Sequence, residues 1–107
     1  MNDIYLSASL RELGEAETAE ITVTQEDIDR GKRDLGRSCP VALALARAAG
    51  PDASDVIVCV RNSYVHYGAR WLAFENAPAL DAFIIAYDRR EPVTPGTFVL
   101  TVVRAAR

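Results

Sequence analysis

Cysteine is scarce in this chain. Cys39 and Cys59 are the only two, which is too few for a disulfide framework, and their spacing is not that of a zinc knuckle. They read as cytosolic thiols. Long apolar runs are missing as well: no stretch approaches the roughly 20 consecutive apolar residues that span a bilayer. The N-terminus has neither the basic start nor the apolar run of a secretory signal. The expected location is therefore the cytoplasm, with no membrane partner. Glycine is too sparse at Gly31 and Gly36 for a phosphate-cradling or dinucleotide-binding loop. No serine stands in a nucleophile elbow. Charge of one sign is not in large excess: the formal net charge is −3, which gives no general attraction to nucleic acid or anionic membrane and favours a protein or small-molecule partner.

What is present is enough for one folded domain. Across 107 residues, 50% are hydrophobic and 25% charged, the balance of a soluble protein that buries one core without metal or disulfide support. The expectation is a single α+β domain over 1–107, with residues 1–19 more loosely attached. At the N-terminus, IYLSASL suits an edge strand, while Ser9 followed by Glu12 suits a capping box opening a brief helix.

The organising stretch is Val56 to Glu75, VIVCVRNSYVHYGARWLAFE, which reads as three antiparallel strands. Gly68-Ala69 supplies the positive φ of a two-residue type II′ hairpin loop, and Asn62-Ser63 is the candidate for the other loop. Those turns set Val60 opposite Val65, Val58 opposite Tyr67, Cys59 opposite His66, Val65 opposite Leu72 and His66 opposite Trp71. One face then carries Val56, Val58, Val60, Val65, Leu72 and Phe74, with Tyr67 and Arg70 at its rim. The other carries Ile57, Cys59, Arg61, Tyr64, His66, Trp71 and Ala73. That second face is too polar for an interior and too aromatic for an ordinary solvated surface. Either something covers it, such as the segment from Ile4 to Leu13, or it binds something.

Around the meander, Glu20 to Val23 alternates as a half-buried strand. Thr24 caps a helix with Glu26 and Asp27 in its first turn, and Gly31 ends it. Ser38-Cys39-Pro40 starts a second helix that Gly50-Pro51 ends, with Val41, Ala44, Leu45 and Ala48 on one face. Asn76 caps a third, with Pro78 in its first turn and Leu80, Phe83, Ile84 and Tyr87 at helical spacing. Arg89 and Arg90 sit at its negative end, and Pro92 helps stop it. Phe98 to Val103 is a strand apolar on both faces, which places it inside a sheet. The order is β-α-α-β-β-β-α-β, a mainly antiparallel sheet with helices on one face. The expected core is Ile21, Val23, Val41, Leu45, Val58, Val60, Val65, Leu72, Phe74, Leu80, Phe83, Ile84 and Leu100.

Val23 to Gly31 and Cys39 to Leu45 together resemble a pattern, Val-Thr-x-Glu-Asp-Ile, a Gly, then Cys-Pro-Val-Ala-x-Ala-Leu, of small actinobacterial and bacteriophage proteins. The resemblance covers about a quarter of the chain and implies a phage or mobile-element origin, and with it a host protein, such as a defence nuclease, as partner. It carries over no catalytic residue.

For chemistry, Cys39 at a helix N-terminus is the one thiol whose local field favours the thiolate, although the commoner role of such a residue is to fill space. Cys59 and His66, as a cross-strand pair, would supply half a metal site or a proton-exchanging couple. The acidic cluster Glu26, Asp27 and Asp29 reads as helix initiation before metal binding. No catalytic constellation, metal set or cofactor site emerges. The function read from the sequence is a non-enzymatic protein-binding module, with Arg61, Tyr64, His66 and Trp71 as the partner-binding set. The alternatives are a homo-oligomeric structural protein and a nucleic-acid binder that stacks bases on the aromatic face.

Overall fold

The computed structural model describes residues 10–106. The readings of residues 4–9 as an edge strand, and of Ser9 as a cap, lie outside the described residues. The elements follow in the order β1 (Thr18–Val23), α1 (Gln25–Arg30), α2 (Pro40–Ala49), β2 (Asp55–Val58), β3 (Asn62–Tyr67), β4 (Arg70–Asn76), α3 (Pro78–Asp88) and β5 (Gly96–Ala106). The strands make one five-stranded sheet in the order β1-β5-β4-β3-β2. Every neighbouring pair is antiparallel. This is the expected α+β class, with the expected element order, and β5 lies inside the sheet.

The helices all pack on one face. In α1 the Thr24 hydroxyl accepts the Asp27 N–H at 3.1 Å, and the Asp27 carboxylate accepts the Thr24 N–H at 2.9 Å, a closed capping box. Asp27 has a second task. Its two oxygens take both terminal nitrogens of Arg47 on α2, at 3.0 and 2.7 Å, and the same guanidinium donates to the Thr22 carbonyl of β1 at 2.9 Å. One carboxylate therefore starts α1 and ties it to α2. Gly31, which caps α1 at its C-terminus, lies so close to α2 that a Cβ there would stand 2.5 Å from the Pro40 ring. Asp27, Gly31 and Pro40 thus join α1 to α2.

Helix α3 buries Leu80, Phe83, Ile84 and Tyr87 as its spacing predicts. Phe83 meets Phe98 of β5 edge to face at 5.5 Å, and the Tyr87 hydroxyl donates to the Gly31 carbonyl at 2.8 Å. Its N-terminus is a correction. Ala77, not Asn76, is the N-cap, and no side chain caps it. Asn76 is buried and spent elsewhere: it accepts from the Ser63 hydroxyl at 2.8 Å and donates to the Cys59 carbonyl and to Asp81. A buried side chain that satisfies three groups at once, the buried Ser63 hydroxyl among them, is worth more there than at a helix end.

Of the expected core residues, all but Val60 are buried; Val60 is 45% exposed. The reason is the first hairpin. Its register pairs Val56 with Val65, Ile57 with Tyr64, Val58 with Ser63, and Asp55 with His66. The loop is therefore Val60-Arg61, two residues earlier than Asn62-Ser63, and Val58 faces Ser63 instead of Tyr67. Arg61 takes a positive φ of 80°. That conformation is costly for a residue with a Cβ, and tertiary bonds offset it. The Arg61 N–H donates to Asp81 at 2.7 Å and its carbonyl accepts the Asn76 N–H at 2.8 Å. A displacement by an even number of residues keeps the side chains that stay in the strands on their predicted faces, so the inner face still holds Val56, Val58, Val65 and Tyr67, while Val60 and Arg61 leave their faces for the loop. The second hairpin is as read: Gly68 has φ 62°, and Val65 pairs with Leu72, His66 with Trp71.

Leu10, in the helical stretch 10–12, is 3% exposed and belongs to the core on the helix-covered side. Arg70 donates to the Leu13 carbonyl at 2.8 Å, which fastens the same stretch to the start of β4.

Candidate interaction surface

The sheet has two faces and the helices occupy one. Side chains alternate across each strand, so the face turned away from the helices is built from Ile57 of β2, Tyr64 and His66 of β3, Trp71 and Ala73 of β4, Val99 and Arg104 of β5, and Glu20 of β1. Tyr64, His66 and Trp71 are each part exposed. The His66 and Trp71 rings stack across the β3–β4 pair with centroids 6.4 Å apart and planes 25° from parallel. Val99 and Val103 are 37% and 45% exposed. Among the described residues, no element lies over this face.

Of the four residues singled out from the sequence, three are brought together. Tyr64 and His66 are neighbours on one side of β3, and Trp71 is directly opposite His66. Arg61 is not among them, because it belongs to the β2–β3 loop with its backbone bound to Asp81 and Asn76. The cation beside the aromatic group is Arg104, whose guanidinium carbon lies 5.9 Å from the Trp71 ring centre. Simple alternation would have missed it. Leu100 and Val102 face inward, so continued alternation would bury Arg104. The register shifts between Ala73 and Phe74, with Ala73 opposite Arg104 and Phe74 opposite Val102. Val103 is the extra residue of a β-bulge that turns Arg104 outward.

The proposed chemistry of Cys59 and His66 is overturned by the same register that moved the loop. His66 is opposite Asp55, and Cys59 lies beyond the end of β2, exposed. The two are not a cross-strand pair. Among the described residues, no group of three or more His, Cys, Asp or Glu side chains is placed to hold a metal. Cys39 is the N-cap of α2, its sulfur accepting the Ala42 N–H at 3.4 Å. Burial pushes its thiol pKa up, against the pull of the Ala42 and Val41 N–H groups. Desolvation outweighs the helix field that the sequence alone suggested. Asp27 goes the other way, its carboxyl held below the usual carboxylate range by Arg47.

No helix of the described residues is long and apolar enough to cross a membrane. Comparison of the chain with protein-family models, with curated proteins and with solved structures gave no match.

Proposed function

We propose that this protein is a non-enzymatic protein-binding module that docks its partner on the outer sheet face around Tyr64, His66, Trp71 and Arg104. The observation that carries the reading is the one-sided packing of the sheet: five strands covered by helices on one face, with a stacked His66–Trp71 pair, a cation and exposed Val99 on the other. Aromatic and arginine anchors on an open surface are the residue types that dominate protein interfaces. The resemblance of residues 23–31 and 39–45 to small actinobacterial and bacteriophage proteins supplies the partner class, a host protein whose activity binding would modulate or inhibit.

The test is affinity capture from a bacterial lysate, with wild-type protein and Trp71→Ala side by side. The expected result is a retained protein that the folded variant no longer holds. Light scattering on both forms reads self-association: a stable wild-type oligomer that Trp71→Ala dissociates replaces this reading with a structural homo-oligomer. A partner retained equally by both forms moves the contact to another surface.

A further inference from the structure

A second surface lies beside β2, the end strand of the sheet. Residues 34–37 approach one side of that strand, and the β2–β3 loop and α3 form the other, enclosing a groove of about 420 Å³. Its walls are Leu35, Ile57, Val58, Val60 and Ile84. Leu35 and Val60, both in its lining, are 50% and 45% exposed. Single exposed apolar side chains are ordinary, but two lining one groove are not scattered.

Hydrogen bonds hold both sides of the groove. Gly36 accepts the Val58 N–H at 2.8 Å, and Arg37 is paired with Asp55 at 3.1 Å. Opposite, Asn76 holds the Cys59 carbonyl and Asp81 holds the Arg61 N–H. A preformed site of this kind binds without first ordering its own walls. Its charge is one-sided. Asp34 and Asp88 both line it, and neither forms an ion pair among the described residues. The one cation in the lining, Arg37, is engaged by Asp55.

We infer that this groove is a docking site for an extended segment of a partner protein carrying a bulky aliphatic side chain next to an arginine or lysine. The aliphatic group sits between Leu35 and Val60, and the cation reaches Asp34 and Asp88. The site adjoins the aromatic face at Ile57, which is opposite Tyr64, but uses none of Tyr64, His66, Trp71 or Arg104, and it stands whether or not that face binds.

The probe is a short blocked peptide alternating leucine with arginine. Its controls carry glutamate for arginine, or serine for leucine. Binding is read on the methyl resonances of Leu35 and Val60 and on the alkylation rate of Cys59, which lines the groove and is exposed while Cys39 is buried. The leucine–arginine peptide should move both methyl groups and slow Cys59 alkylation, and the two controls should do neither. Asp34→Asn with Asp88→Asn removes both charges with little disturbance, because asparagine tolerates the φ of 60° at position 34 and keeps the oxygen that accepts the Asp34 N–H. That variant should bind about fivefold more weakly, the scale of two partly exposed ion pairs. Val60→Ser should weaken binding while circular dichroism stays unchanged. Equal binding of the glutamate peptide, or no response to any peptide, overturns the inference. Methyl shifts that grow with protein concentration alone overturn it in favour of a second copy of this chain.

Discussion

Trp71→Ala separates an open sheet face from a covered one. In the structure Trp71 contacts His66 across the strand pair and Arg104 beside it, and it is part exposed. A cross-strand pair contributes roughly 0.2 to 1 kcal/mol, and an exposed cation–π contact about 0.5 to 1 kcal/mol. The truncation should therefore cost about 1 to 2 kcal/mol. Phe74, three residues along the same strand, is fully buried, and its replacement by alanine should cost about 3 to 5 kcal/mol through loss of burial and the cavity left behind. Urea unfolding of the two variants makes the comparison. Circular dichroism is the appropriate signal, because Trp71 is the only tryptophan and the substitution removes the fluorescence reporter. A loss for Trp71→Ala as large as that for Phe74→Ala would mean that the face is covered in the folded protein, and the interface reading would fall with it.

Three other perturbations test the framework. Asp27→Asn removes the charge that pairs with half-exposed Arg47, so water screening keeps the loss to about 1 kcal/mol at neutral pH. The folded carboxyl is depressed below its ordinary 3.8, so its stabilisation is present above that value and drains as the pH falls through the lower folded one; urea midpoints at neutral pH and about pH 3 should fall further for wild type than for the variant. Gly31→Ala drives a methyl group into the Pro40 ring and should cost about 1 to 3 kcal/mol in the same unfolding assay; an unchanged midpoint would show that α1 and α2 separate freely. Asn76→Ala leaves the Ser63 hydroxyl and the Cys59 carbonyl without their partner, a loss of about 2 to 3 kcal/mol, and hydrogen exchange at Arg61 should quicken as the loop loosens. Slow exchange retained there would assign the loop geometry to Asp81 alone.

Local chemistry written in the sequence decided most of the elements. The Thr24 cap, Pro40 and Pro78 in first turns, and the helical spacing of Leu80, Phe83, Ile84 and Tyr87 act over a few residues, so the three helices were legible without a structure. Gly68 did the same for one hairpin, and with it came the Trp71–His66 pair. What tertiary structure decided was wherever a distant group outbid the local one. Asn76 had the right identity for a cap, yet Ser63, Asp81 and the Cys59 carbonyl, all brought near only by folding, claimed its side chain. Arg61 accepts a positive φ because Asp81 and Asn76 hold its backbone, and that moved the first turn and separated Cys59 from His66. Cys39 stands at a helix start whose field favours a thiolate, but the packing around it removes the water a thiolate needs. Arg104 reaches the aromatic face through a bulge that no alternation rule anticipates. For β2 and β3 residues outside the turn, face assignment survived the displaced turn because strand alternation has a period of two and the turn moved by an even number of residues. For the residues that stay in regular strands, local alternation in the sequence determined the face; long-range hydrogen bonds and the β5 bulge decided the rest, moving Val60 and Arg61 into a loop and Arg104 onto the aromatic face.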